Sequence, residues 1–134
     1  MLLDTCFLID LQKELRRGDC GDARRFLEAH AETRFSISVI SALEFLEGFS
    51  DPAEGEKWIA GYARVNVDTK IAVRASVFRR ELRLSGELIG DFDILIAATA
   101  ETEGLPLVTD DAEHFGRFPS VEVISYVTRE RTPR

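Results

Sequence analysis

The sequence predicts a single α/β domain, a three-layer sandwich in which a short parallel central sheet is flanked by helices. Two observations carry this. Short apolar runs alternate along the chain with longer stretches whose apolar residues recur at helical spacing, and parallel strands need such crossovers because each must be carried back to the same end of the sheet. The apolar runs are also nearly continuous rather than alternating, as strands buried on both faces require. The 134 residues, 45% apolar and 31% charged, suffice for one well-buried core and call for no second domain, so residues 1–134 are read as one unit.

Residues 1–4 form a short buried strand ending in Asp4, and apolar residues from Thr5 to Leu11 continue into a helix that Gly18 and Gly21 break. Asp22 is the expected N-cap of a second helix with Ala23, Phe26, Leu27 and Ala31 on one side, ending near His30. Residues 35–39 read as a strand. The following helix carries a stripe of Leu43, Leu46 and Phe49, widened by Ala42 and Phe45, with Glu44 set inside it. Asp51-Pro52 restarts the chain for a helix containing Trp58, Ile59 and Tyr62, and residues 65–68 are strand-like.

From residue 69 to 84, Ile71, Ala75, Phe78 and Leu82 recur at helical spacing among Lys70, Arg74, Arg79, Arg80 and Arg83. Gly86 and Gly90 mark a loop before a helix over about 91–103, which Gly104-Leu105-Pro106 stops. Residues 107–109 and 121–124 are the last strands. A short arginine-rich tail, about residues 128–134, carries Arg129, Arg131 and Arg134.

A net charge of −7 argues against gripping nucleic acid by bulk electrostatics, which needs a basic face. Two bound divalent cations would neutralise more than half of that charge, and local fields then govern. Cys6 and Cys20, with no secretory signal, read as reduced thiols of a cytoplasmic protein. Asp4 interrupts the N-terminal apolar run, and no window is long and apolar enough for a membrane span.

Four acids stand where water-exposed carboxylates are least expected. Asp4 follows Met-Leu-Leu, Glu44 lies within Ala-Leu-Glu-Phe-Leu, Asp93 precedes Ile-Leu-Ile-Ala-Ala, and Asp111 follows Leu-Val-Thr-Asp. A carboxylate in apolar surroundings is costly unless hydrogen-bonded, paired or metal-bound, so four imply one shared charge sink, a divalent metal. Hard cations such as Mg²⁺ take oxygen ligands, and four acids serve either two metals or one metal plus a positioned water. In parallel sheets, sites form beyond the carboxyl ends of strands, where Asp4 and Asp111 fall.

Taken singly, each acid has an ordinary alternative. Asp4 can cap the helix from Thr5, Glu44 can snorkel to solvent, Asp93 can be a first-turn acid, and Asp111 a turn residue. Asp91 and Asp110 compete with their neighbours for the same roles, although helical spacing turns Asp91 away from Asp93. Thr5 and Thr109 adjoin strand-end acids, where a hydroxyl orients a carboxylate. Asp10, Glu47, Asp68 and Glu113 read as solvated or capping, and His30, His114, Cys6 and Cys20 lack zinc spacing and read as core or surface residues. Arginines at 16, 17, 24 and 25 and at 74, 79, 80 and 83 are candidate phosphate contacts, or simply wet helix faces.

Four blocks resemble the PIN-domain ribonucleases of the VapC type, the toxins of toxin–antitoxin pairs. They are Leu-Leu-Asp-Thr-Cys-Phe-Leu-Ile-Asp, Ile-Ser-Val-Ile-Ser-Ala-Leu-Glu-Phe-Leu-Glu-Gly, Ile-Gly-Asp-Phe-Asp-Ile-Leu-Ile-Ala-Ala-Thr-Ala and Leu-Val-Thr-Asp-Asp-Ala-Glu-His-Phe. The similarity spans nearly the whole chain, and the third block is the most specific. It implies a PIN-like fold with Asp4, Glu44, Asp93 and Asp111 as metal and catalytic acids, choosing Asp93 over Asp91 and Asp111 over Asp110. It also implies a Mg²⁺- or Mn²⁺-dependent endoribonuclease acting on RNA, a homodimer, and inhibition by a small cognate antitoxin.

Two positions depart from that pattern. Cys6 stands where asparagine is common, and Asp110 where a basic or neutral residue is common, adding negative charge at the rim that repels RNA. The competing functions are a phosphatase with Asp4 as nucleophile, which lacks the usual Asp-x-Asp because residue 6 is Cys, and a phospho-acceptor receiver, which lacks a late lysine. A non-catalytic acidic interaction protein is the remaining alternative.

Overall fold

The computed structural model describes residues 1–128, and the arginines of the tail, Arg129, Arg131 and Arg134, lie outside the described residues. Five strands, β1 (Leu2–Leu3), β2 (Ser36–Ser38), β3 (Ala63–Val65), β4 (Leu107–Thr109) and β5 (Val123–Ser125), pair in the order β3-β2-β1-β4-β5, all parallel. Seven helices connect them: α1 (Thr5–Arg17), α2 (Asp22–Ala29), α3 (Val39–Leu46), α4 (Pro52–Ile59), α5 (Thr69–Leu84), α6 (Asp91–Glu103) and α7 (Ala112–Phe115). Strand order reverses between β1 and β4, the switch point at which open α/β sheets bind ligands.

The two-residue β1 shows why the sheet is covered on both sides. Leu2 joins the core of α5, α6 and α7 with Leu107, Phe78, Ile96 and Phe118, whereas Leu3 joins that of α1 to α4 with Val108, Phe7, Phe26 and Phe45. Alternate residues of a strand point to opposite faces, so consecutive leucines feed two cores. Both are fully buried, each worth roughly 1.5–3 kcal/mol relative to exposure.

Several expected details differ. Asp22 is the first residue of α2 rather than its cap; Gly21 caps without a side-chain bond, and Glu14 of α1 accepts from the Ala23 and Arg24 N–H groups at 3.1 Å each. Asp22 instead pairs with Arg25 and accepts from the Thr128 hydroxyl. The buried face of α3 is Ser41, Ala42 and Phe45, while Leu43 is 44% exposed and Phe49 lies beyond the helix end. β3 lies two residues earlier than the sequence pattern places it, because Ser36 pairs with Ala63 and the exposed edge strand carries no apolar signature. The helix limits at residues 69–84 and 91–103 agree with the expectation, with Asp68 capping α5 and Gly104 closing α6 at a φ of 64°.

Candidate metal centre and active site

Each strand of the central pair delivers a side chain to the switch point. Asp4 follows β1 and is only 7% exposed, so its carboxylate is satisfied internally: Oδ1 accepts from the Thr5 N–H at 2.8 Å, and Oδ2 accepts from Thr109 Oγ1 at 2.8 Å and Cys6 Sγ at 3.4 Å. Thr109 closes β4, and the β1–β4 pairing sets it beside Asp4. Asp4 also caps α1. Its capping role and its place in the cluster are therefore one geometry.

Glu44 reaches the same rim from the middle of α3. Its Oε1 accepts from Thr5 Oγ1 at 2.8 Å, so Thr5 holds Asp4 through its backbone and Glu44 through its hydroxyl. Asp93 comes from the first turn of α6, where its Oδ2 lies 3.0 Å from His114 Nε2. Asp91 turns away to pair with Arg79 at 3.0 Å, as helical spacing requires. Glu44, Gly90, Asp91, Phe92 and Asp93 line one open cleft.

The three carboxylates feel one another. Burial pushes the Asp4 carboxyl above the ordinary range, hydrogen bonds from Thr109, Thr5 and Cys6 oppose this, and the Asp93 charge adds to the rise. Burial also raises Glu44, the Thr5 hydroxyl opposing and the charges of Asp93, Asp4 and Glu47 reinforcing. Like charges in a partly desolvated cleft repel, and a cation relieves both costs at once.

Asp111 occupies a different setting. It is exposed and caps the four-residue α7 by accepting from the His114 N–H at 3.1 Å. It connects to the others indirectly. Its own N–H donates to Thr109 Oγ1 at 3.2 Å, and the His114 it caps reaches Asp93. The structure thus gathers Asp4, Glu44 and Asp93, and leaves Asp111 one residue removed.

Among the described residues, no three or more His, Cys, Asp or Glu side chains are drawn into a ready metal cage. The donor set nevertheless fits a hard divalent ion. It is all carboxylate oxygen, it is mutually repelling, and hydroxyls, a thiol and one imidazole orient its oxygens while leaving others open to a cation.

Two site residues carry no clear signal in the sequence. His114 belongs to a four-residue helix too short for any periodicity, and its one hint is that it lies three residues after Asp111, where a cap directs it back over the turn. Cys6 is half-buried; burial and the Asp4 charge push its thiol far up, so it acts as a neutral donor. The backbone of Asp110 bonds to Cys6, and the Asp110 charge acts on both Cys6 and Tyr126. Tyr126 donates to Asp10 Oδ2 at 2.6 Å, so Asp10 is partnered rather than merely solvated.

Most candidate arginines are engaged within the fold. Arg74 pairs with Glu101, Arg25 with Asp22 and Arg79 with Asp91; Arg24 donates to the Asp19 carbonyl, and Arg16 lies over Trp58. Arg17, Arg80 and Arg83 are exposed and form no ion pair among the described residues. No helix among those residues is long and apolar enough to cross a membrane.

This arrangement has counterparts in known proteins. Residues 1–120 match the family model described as PIN domain. Ribonuclease VapC1 of Methanocaldococcus jannaschii is 32% identical over 120 residues, which is 87% of this chain and 79% of that protein. The tRNA(fMet)-specific endonuclease VapC of Salmonella typhimurium is 31% identical over 98 residues, 68% of this chain and 74% of that protein. The crystal structure of DNA-bound VapBC from Salmonella typhimurium superposes with a TM-score of 0.79 at 26% identity, covering 93% of this chain and 96% of that one. With the parallel sheet order and the acids at its switch point already in place, these likenesses settle the family: the chain belongs to the PIN-domain proteins of the VapC type.

Proposed function

We propose that this protein is a Mg²⁺- or Mn²⁺-dependent endoribonuclease and the toxin of a type II toxin–antitoxin pair. The observation that carries the reading is the convergence of Asp4, Glu44 and Asp93, from three distant segments, into one repelling cluster at the switch point. The names of its relatives, ribonucleases and an endonuclease, support the same chemistry. The cluster contains no Ser-His or Cys-His nucleophile pair, and Cys6 is held as a neutral thiol.

Asp4, Glu44 and Asp93 would hold the metal, and Asp111 would act on it indirectly from outside that set. A bound divalent ion supplies a water of lowered pKa and neutralises charge at the scissile phosphate. The chain's own residues prepare that chemistry. Thr5 and Thr109 fix the carboxylates of Glu44 and Asp4, and His114 fixes Asp93, so little reorganisation remains when substrate arrives. Arg83 lines a second cleft that shares Asp91 with the acidic one and forms no ion pair among the described residues, offering a cation to a flanking phosphate.

The partners that follow are an RNA substrate, a second copy of the chain as homodimer, and a cognate antitoxin, in the cytoplasm. Structural neighbours that are VapBC and other toxin–antitoxin complexes support the antitoxin. Purified protein should cleave single-stranded RNA with Mn²⁺ or Mg²⁺, stop on chelation, and lose activity as Asp4→Asn. Cleavage that survives both would overturn the reading. Expression should arrest growth, an arrest absent with Glu44→Gln and relieved by the product of a neighbouring gene.

A further inference from the structure

A chain with a net charge of −7 and a cleft lined by Glu44, Asp91 and Asp93 repels the phosphates of the strand it is proposed to cut. Part of its affinity must then come from groups indifferent to charge. One such group lies in that cleft. Phe92 is 42% exposed, the single exposed aromatic among the described residues, and its ring meets no other ring.

An isolated exposed apolar side chain is common and by itself says little. The placement of Phe92 says more. It sits in the first turn of α6 between Asp91 and Asp93, so its backbone is as fixed as that of the acid beside it. Gly90 precedes it, and a Cβ built there would meet nothing within 4 Å, so the space alongside is open. The adjoining cleft shares Asp91 with this one and is lined by Arg83, which forms no ion pair among the described residues.

Building on the ribonuclease reading, we propose that Phe92 is the platform on which a base of single-stranded RNA stacks next to the scissile phosphate. Every base offers a π-face, and stacking on an aromatic ring is uncharged, so it holds the nucleotide where electrostatics disfavour it. Register follows from the same contact. A base seated on Phe92 places its own phosphate against Asp93 and Glu44, and unpaired bases alone can reach the ring.

The test is binding without cleavage. A fluorescein-labelled, 2′-O-methyl oligonucleotide of roughly eight residues is titrated against wild type, Phe92→Leu and Phe92→Trp, beside an abasic version of the same backbone. Phe92→Leu should weaken binding roughly 5- to 50-fold, equally at low and high salt; Phe92→Trp should restore it; and the abasic strand should bind both alike. Unchanged affinity in Phe92→Leu, or an equal loss on the abasic strand, overturns the proposal. A fall in sedimentation mass for Phe92→Leu also overturns it, by making the ring a protein contact. If wild type binds in this base-dependent way yet cuts no RNA with Mn²⁺, stacking stands and the hydrolytic reading fails. If wild type cuts RNA and Phe92→Leu binds it unchanged, hydrolysis stands and stacking fails.

Discussion

Asp4 and Asp111 are both helix caps following the two central strands, and their environments are opposite. Asp4 is 7% exposed, caps a helix of 13 residues and has both oxygens occupied. Asp111 is exposed and caps a helix of four. Capping and solvent together are enough to stabilise the charge of Asp111. Capping does not explain Asp4, whose burial costs more than one cap returns. An acid that is expensive to keep in the fold marks the chemistry better than one that is cheap.

The largest effect should separate these two acids. Asp4→Asn is expected to lower RNA cleavage by at least about 100-fold, and Asp111→Asn by roughly 10-fold or less, as suits a ligand against a group acting indirectly. Single-turnover cleavage of one RNA by both variants decides this, and equal losses would erase the distinction. Next in size is His114→Ala, which frees the Asp93 carboxylate. Mn²⁺ affinity measured by calorimetry should fall roughly 10-fold, with His114→Gln recovering part of the loss.

A third expectation concerns pH. Asp4 and Glu44 are raised above their ordinary values in the fold, so the folded chain binds more protons than the unfolded one between those limits. Their cost is fully present above the raised values and disappears as pH falls toward the ordinary carboxylate range. Metal-free protein should therefore melt higher at pH 5 than at pH 7.5. Asp22 and Glu56 are shifted downward, so their stabilising contributions disappear only at lower pH, in a separate window. Saturating Mn²⁺ should reverse the slope, and Asp4→Asn should flatten it. The smallest effect belongs to Tyr126→Phe, which removes the bond to Asp10 and should cost about 1 kcal/mol in denaturant melts while cleavage is unchanged.

The same contrast explains what was legible in the sequence. Asp68, Gly90 and Gly104 punctuate α5 and α6 with local chemistry, and those limits could be read without tertiary information. Asp4, Glu44 and Asp93 announced themselves because each interrupts an apolar run. Asp111 is alike in sequence, since Leu-Val-Thr-Asp precedes it, but it lies two residues past the strand end. β3 lies on the sheet edge with exposed residues, where pairing with β2 rather than pattern sets its register. His114 stayed hidden because its partner, Asp93, is 21 residues away and contact depends on how α6 and α7 pack.

Thr109 Oγ1 accepts from the Asp111 N–H while giving its single proton to Asp4. The hydroxyl therefore imposes a direction on the chain of bonds that joins the exposed acid's turn to the buried one. Valine has the same shape and suits a strand better, yet it would leave the Asp111 amide and the Asp4 oxygen facing methyl groups. Serine keeps the arrow. The end of β4 thus tolerates a poorer strand former more readily than a better one, because sheet propensity there competes with the hydrogen bonds that hold Asp4 and the turn of Asp111 together.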